Sequence, residues 1–514
     1  MPENFLKKVN AKILPQWKVC FFSALLVGLI AHLYKITGWL PNWDSLVFRY
    51  DSQNMLGLGR WFLPVVCSFS SFYDLPFLNG LIAIVFHGLG AVCICRVLNI
   101  RRKITAFLTG ALIVSFPTVT SVMMYNYVAD GYSIAFFLSA LAAVFMTEKK
   151  PRYVLAAVLI TLSTGIYQAY ITVTIALVLV KLIDEIIYGN CHFSVLFKKS
   201  LFMLLTGIGG VVLYGIILRV LLDFFSVELL DYQGLNATAS MSALNLASSF
   251  YLTKETFIKF FFDFSKGVNV YVVLNSIILI FTFFYCIKHT VQNNIHTKPV
   301  KLILLLLLCP ALVVGANILA FINAQVDYHN LMLMGYSVFY LLFLILYERG
   351  KADRFTAVKC WIVLLAGVAL IANQVVIANV SYHKAQMAYE KSYGVIIRIA
   401  DRIEQTPGAE ECENILVIGC LENSKDYSVN LPPEITGITD GFIVRFDDET
   451  VGQSVFTSTL NDYCGKNYRF LSGDEKKKLA GNPEVTAMGK WPESNCIRVV
   501  EDTLVVKLGT EGEN

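Results

Sequence analysis

Charge is what this chain has least of. Only 16% of its 514 residues are Asp, Glu, Lys or Arg, whereas 56% are hydrophobic, and the mean hydropathy is +0.60. A bilayer requires that balance and a single water-soluble core does not, so an ordinary soluble globule is excluded in favour of a polytopic membrane protein. Also missing is any His or Cys spacing that resembles a zinc site: Cys93 and Cys95 stand two apart in an apolar helix and face different ways. No metal and no cofactor is implied. The first apolar run reaches Trp39, Pro41 and Trp43 without a small-residue cleavage site, so it is expected to stay as a helix and not to be removed as a signal. There is no internal repeat and no low-complexity tract. The net charge of +4 gives no reason to expect a nucleic-acid partner, because in a membrane protein the placement of Lys and Arg matters more than their sum.

Apolar windows able to cross a hydrocarbon core of about 30 Å begin with Val19 to Ile36, Leu78 to Val97, Ile104 to Tyr125 and Tyr132 to Met146. Tyr153 to Gly165, Tyr170 to Ile187, Leu201 to Leu222 and Val270 to Ile287 follow, then Leu302 to Ile322, Leu331 to Tyr347 and Ala357 to Ala378. The sum is roughly eleven spans, the fifth being short. Basic clusters alternate with them: Lys7, Lys8, Lys12 and Lys18; Arg96, Arg101, Arg102 and Lys103; Lys149, Lys150 and Arg152; Lys198 and Lys199; Lys288, Lys298 and Lys301; Arg349, Lys351, Arg354 and Lys359. All fall on one side, which the positive-inside rule makes cytoplasmic. The amino terminus is then cytoplasmic and the carboxy-terminal region outside.

Polar residues concentrate on the opposite side. The first outer loop, Thr37 to Pro76, is long for a simple connection. Within it Asn42 to Leu63 gathers Asp44, Arg49, Asp51 and Arg60, with Trp43, Tyr50 and Trp61 among them. Arg pairs a phosphate in two-pronged fashion and Asp takes up a proton, so the stretch is a candidate active site for a phosphate-linked substrate. On a helix Asp44 and Asp51 would lie about 10 Å apart along the axis, too far to share a proton. The two acids are therefore read as separate roles, one as base and the other as an orienting or substrate-binding group. The bland alternative is a solvated loop at headgroup level.

The second outer turn carries Tyr125, Asn126 and Asp130, in which an acid flanked by aromatics suits a sugar; equally, Asp130 is placed to cap the fourth span. Tyr167 and Gln168 add to the same side. Arg219 stands near the outer end of the seventh span, and YLTKETFIKFFFDF beyond it alternates apolar and charged residues as an interfacial helix would. Such a helix could flank a lipid-tail groove, or simply pack while Arg219 snorkels. Asn236-Ala237-Thr238 matches a glycosylation acceptor. Asn323, Gln325, Asp327, His329 and Asn330 form another polar link. His87, mid-span, is read as a neutral imidazole bonded to a neighbouring helix, the alternative being a functional group.

Composition changes near Ser381, giving a transmembrane domain over 1–380 and a small α/β domain over 381–514. A helix is expected from His383 to Glu404, a buried strand at Asn414 to Cys420, and a hairpin in Cys496 to Leu508 turning at Glu501-Asp502. The domain shows no G-x-G-x-x-G, P-loop or serine elbow, so no chemistry is assigned to it. Cys412, Cys420, Cys464 and Cys496 could form two bridges in any of three pairings in an oxidising exterior, whereas an anaerobe would leave them reduced.

The chain resembles the GtrII-type glucosyltransferases, bacterial membrane enzymes that decorate surface polysaccharides such as O-antigen. The resemblance rests on Asp44 and Arg49, the Gly59-Arg60-Trp61 triplet, Tyr125-Asn126 with Asp130, Tyr167-Gln168, and the stretch from Tyr382 to Arg402. It covers most of Asn42 to Ile418. Many relatives have a second acid directly after the first, where this chain has Ser45. The resemblance implies a GT-C-like helical bundle with its site in extracytoplasmic loops, a polyprenyl-phosphate sugar as donor and a polysaccharide as acceptor. It also implies a partner flippase and a donor-lipid synthase. Asp44 would act as base, with Arg60, Arg49 and Arg219 balancing the leaving phosphate. The competing class is a transporter or flippase for a lipid-linked saccharide.

Overall fold

The computed structural model describes residues 2–47, 55–189, 192–230, 245–324, 328–350, 356–421, 433–438, 455–456, 458–460 and 465–509. Arg49, Asp51, the Asn236-Ala237-Thr238 acceptor, Gln325, Asp327 and Cys464 lie outside the described residues. The described chain is mostly helical and divides into two units. The first takes in residues 1–38, 50–379 and 430–436, the second residues 39–49, 380–429 and 437–514.

In the first unit the apolar runs become helices because each satisfies its own backbone where no water can. Among the described residues eight are long and apolar enough to cross a membrane: Pro15–Thr37, Pro76–Val97, Lys103–Met124, Asn126–Thr147, Phe193–Phe225, Val270–Gln292, Pro299–Ala316 and Ala357–Glu404. Tyr153–Ile166 and Met334–Glu348 are shorter apolar helices. Ile171–Tyr188 is also a helix, with Lys181, Asp184 and Glu185 in its second half. The third of the eight breaks at Phe116, where Pro117 opens a new helical segment with an N–H that would be unsatisfied anyway. The short fifth window ends at Ile166, and the chain reverses through a turn at Gln168–Tyr170 before Ile171–Tyr188.

Small residues let these helices approach closely. A Cβ on Gly110 would overlap the backbone carbonyl of Cys20, so helix Lys103–Ser115 rests directly on helix Pro15–Thr37. His87 is fully buried, and its Nδ1 bonds the Ala83 carbonyl at 2.8 Å. That partner lies one turn back on its own helix, where a neighbouring helix was expected; the neighbour contributes the stacked ring of Phe136 instead, with centroids 5.1 Å apart. Helix Leu246–Phe262 starts five residues before the expected interfacial stretch and covers most of it. Phe260 and Phe261 turn into the unit, while Phe250, Tyr251 and Ile258 face outward.

The second unit is built on a four-stranded sheet. Its strands are β1 (Asn414–Ile418), β2 (Arg469–Phe470), β3 (Ile497–Val500) and β4 (Thr503–Lys507), in the order β2-β1-β4-β3. β1 runs parallel to both of its neighbours, and β3 pairs antiparallel with β4. The hairpin turns at Glu501 and Asp502, both at positive φ (48° and 60°), as a two-residue connection between twisted strands requires. Alternate residues serve opposite faces. Ile415, Val417, Leu504 and Val506 pack against Ile396, Ile399 and Ile403 of helix Thr356–Glu404. Leu416, Ile418 and Val505 pack against Leu479, Val485 and Met488. Leu46 joins the first of these cores, with Trp39 and Trp43 against it, so the unit draws in a segment far from it in sequence. Cys412 and Cys496 are free thiols. Two bridges among the four cysteines would use both of these, so the doubly bridged form is not the one observed.

Candidate functional site

In the first unit the site begins at a tight turn. Residues Leu56–Leu58 make one 3-10 turn that ends on Gly59 at φ +73°, a conformation costly for any residue with a Cβ. Space also selects glycine here: a Cβ would stand 2.5 Å from the Tyr214 hydroxyl and 2.8 Å from Gln168 Nε2. Those two groups bind the turn. Gln168 Nε2 donates to the Leu58 carbonyl at 3.0 Å, and the Tyr214 hydroxyl donates to the Gly59 carbonyl at 3.0 Å. The next residues are fixed as tightly. Phe62 N–H donates to the Gly165 carbonyl at 2.8 Å, and Trp61 covers Gly165 so closely that a Cβ there would meet Cε2 at 2.7 Å.

Arg60 is thereby brought over an aromatic pair. Its guanidinium carbon lies 4.9 Å from the ring centre of Tyr167 and 6.0 Å from that of Tyr132, and Nη1 reaches Met55 Sδ at 3.4 Å. A planar cation on a π face is held in orientation as well as in place. Tyr170, fully buried, closes the aromatic group with its centroid 6.0 Å from that of Tyr167.

The same loop continues to a polar layer. Asp130 is 1% exposed; its Oδ2 accepts from Ser70 Oγ at 2.6 Å, and its Oδ1 lies 3.8 Å from Cys67 Sγ. Burial and then the nearby Asp130 charge push the Cys67 thiol well above its ordinary range, so it stays protonated and unreactive. Asn126 Nδ2 donates to Asp74 Oδ1 at 2.6 Å, and Asn79 Nδ2 donates to the carbonyls of Asn126 and Tyr73 at 3.1 and 3.2 Å. Lys35, buried in the last turn of helix Pro15–Thr37, lies in the field of the Asp74 carboxylate.

Arg60, Asn126, Asp130, Tyr167 and Gln168 thus belong to one region of the first unit, with Tyr125 at the junction before helix Asn126–Thr147. Asp130 is no N-cap: the helix starts at Asn126, and the carboxylate sits one turn in. Arg219 is exposed on helix Phe193–Phe225 and makes no hydrogen bond or ion pair with the described residues, although its neighbour Leu218 approaches Gly59. Asp44 lies in the short helix Trp43–Val47 of the second unit, entered through Asn42, whose Oδ1 accepts from Ser45 N–H at 2.8 Å.

Sequence reasoning missed Ser70, Asp74, Lys35 and Tyr214. Two of them carried a signal. Lys35 is an ionisable residue at the end of an apolar span, and Asp74 falls in the long loop already singled out, though beyond Leu63. Ser70 and Tyr214 carried none, since nothing local distinguishes a serine or tyrosine that finds a distant partner.

Apolar helices long enough to span a bilayer, joined at one region by a guanidinium on stacked tyrosines and a layer of buried carboxylates, define a multispanning membrane protein with a polar, aromatic site. Residues 33–346 match the family described as Glucosyl transferase GtrII, and the chain belongs to that family. Membership supports a glycosyltransferase. Neither a curated protein nor a solved structure matches the chain.

Proposed function

We propose that the protein transfers a sugar, glucose by the family's description, from a polyprenyl-phosphate donor to a surface polysaccharide such as O-antigen. Transfer takes place on the extracytoplasmic side, within a GT-C-like bundle. The observation that carries this reading is the Arg60 guanidinium laid over Tyr167 in a chain of the glucosyltransferase family. A donor of this class leaves as a lipid phosphate, already anionic, and needs its developing charge balanced more than it needs a proton. An oriented guanidinium supplies that balance bidentately. Arg49 is proposed for the same task on sequence grounds.

The acceptor hydroxyl attacks the anomeric carbon as the bond to the phosphate oxygen breaks, and the lipid phosphate keeps the electron pair. The hydroxyl proton passes to a carboxylate, for which Asp44 is proposed from its place in the sequence. Attack opposite the phosphate inverts the anomeric centre. A phosphate monoester leaving group does not oblige a metal. A flippase and a donor-lipid synthase would supply the donor on the outer face.

The test is transfer of labelled glucose from polyprenyl-phosphate glucose to purified polysaccharide by the full-length protein in lipid nanodiscs. Arg60→Ala and Asp44→Asn are expected to abolish transfer while the protein still expresses and folds. Donor movement across the bilayer that survives Asp44→Asn, with no transfer by the unmutated protein, would make it a transporter instead.

A further inference from the structure

Between helix Leu63–Cys67 and helix Pro76–Val97 the loop is fastened to one face of helix Asn126–Thr147 by two hydrogen bonds that run in opposite directions. Ser70 donates to Asp130 on the helix, and Asn126 of the helix donates to Asp74, both at 2.6 Å. Asn126 and Asp130 are four residues apart and so share that face. Between the two bonds, Ser71 and Phe72 are both left-handed, at φ 63° and 67°. Residues with a Cβ rarely adopt that conformation, and it persists where the surroundings enforce it. On the other side of the clamp, Leu63 and Cys67 press on Gly131, where a Cβ would come within 2.6 Å of Leu63 and 3.1 Å of Cys67 Sγ. Helix Leu63–Cys67 is therefore a short rigid link with the Asp130 clamp at one end and Arg60 at the other.

We infer that Asp130 is a positioning residue: through Ser70 and Cys67 it holds the link that sets Arg60 over Tyr167, and its carboxylate does not receive the sugar. Both oxygens face loop side chains and the residue is 1% exposed, which leaves no edge for a sugar hydroxyl. The assignment rests on the reading of Arg60 as the group that balances the donor phosphate. It replaces the expectation that Asp130 lines the sugar site.

The experiment uses the full-length protein in lipid nanodiscs, with Asp130→Ala, Ser70→Ala, Ser70→Thr and the double alanine variant. Two readouts are taken: alkylation of Cys67 by a maleimide without donor, read on its peptide by mass spectrometry, and glucose transfer. Unmutated Cys67 is fully buried and should resist the reagent. Both single alanine variants should raise its labelling by about tenfold or more, the effect of losing one buried charged hydrogen bond, while Ser70→Thr keeps it protected. Each alanine should lower kcat by about tenfold with the acceptor KM unchanged. The double variant should be no worse than either single one, as for residues acting through one contact. Loss of transfer or a raised acceptor KM in Asp130→Ala with Cys67 still protected would overturn the inference, as would Ser70→Ala with wild-type labelling and transfer. Were the unmutated protein to transfer nothing, the reading of the reaction would fall, and the labelling would still decide the clamp.

Discussion

The ring of Tyr132 lies on the ring of Tyr167, with centroids 4.4 Å apart and planes 12° from parallel, and the Arg60 guanidinium lies 4.9 Å from the Tyr167 centre. The cation lies beside both stacked rings, 4.9 Å from one centre and 6.0 Å from the other, so the junction between the two helices holds it against the pair. Aromatic pairs of this kind contribute about 0.5–1.5 kcal/mol beyond burial, and a cation on a ring a similar amount. Tyr167→Ala removes both and is expected to lower kcat/KM for transfer by about tenfold or more. Arg60→Lys keeps charge but loses the plane that stacks and the fork that grips phosphate, so it should fall nearly as far as Arg60→Ala. Equal activity of Arg60→Lys and the unmutated protein would show that only the charge matters.

How far the sequence foretells this arrangement depends on the range of each contact. The hairpin at Glu501-Asp502 and the helix that ends at Glu404 are legible because their signals lie within a few residues of one another. Tyr167 and Gln168 are legible as residues of a polar turn because they stand where an apolar run stops, and the structure sets that turn beside Arg60. The pairing of Ser70 with Asp130 is not, because it joins residues 60 apart in the chain and a lone serine carries no mark of its partner. Asp44 teaches the same lesson. Its neighbours Trp39, Trp43 and Leu46 are apolar at helical spacing, which announces a buried face without naming what buries it. The partners, Ile396 to Ile403, lie in the second unit. His87 shows the limit for buried polar groups: a hydrogen-bonded imidazole was readable, but not that Nδ1 would turn to its own helix and leave Nε2 buried without a partner among the described residues.

Helix contact at Gly110 gives a prediction about stability with no bearing on chemistry. The carbonyl of Cys20, a backbone atom inside a helix, stands where a Cβ would go. It cannot swing aside as a side chain can. Gly110→Ala gains helix propensity, yet forcing two helices apart in a packed interior costs about 1–3 kcal/mol. The overlap should win, and the thermal midpoint of the protein in detergent should fall. A raised midpoint would mean that helices Pro15–Thr37 and Lys103–Ser115 separate at little cost.

Away from the site, Arg349 grips Asp184 with two nitrogens, Nε at 2.9 Å and Nη2 at 3.2 Å, and Nη2 also donates to the Leu98 carbonyl at 2.7 Å. Asp184 is 7% exposed, so removing the guanidinium leaves a buried carboxylate with Lys181 at 3.3 Å as its remaining ion pair. Breaking a buried pair outright costs about 3–5 kcal/mol; with Lys181 retained, Arg349→Met should cost about 2 kcal/mol. Adding Asp184→Asn removes the stranded charge, so the double variant should recover part of the loss. Thermal unfolding of the three variants decides it, and purely additive losses would contradict a coupled pair.

The hairpin between β3 and β4 offers a graded test in the second unit. Its connection is only Glu501 and Asp502, both left-handed. Glu501 is held there by its side chain, whose Oε1 accepts from Asn482 Nδ2 at 2.8 Å, and is best left unchanged. No hydrogen bond from the side chain of Asp502 offsets the strain among the described residues. Its φ of 60° is a conformation that costs L-residues roughly 1–2 kcal/mol, less for aspartate than for most and nothing for glycine. Asp502→Gly relieves that strain and gives back part of the gain through a more flexible unfolded chain, for a net stabilisation of about 0.5 kcal/mol. Asp502→Val places a β-branched side chain at positive φ and should destabilise by about 1–2 kcal/mol. Limited proteolysis of the full-length protein, followed at the peptide that carries β3 and β4, should therefore rank Gly slowest, Asp next and Val fastest. A glycine variant cleaved faster than the unmutated chain would mean that the aspartate contributes to this turn beyond its backbone conformation.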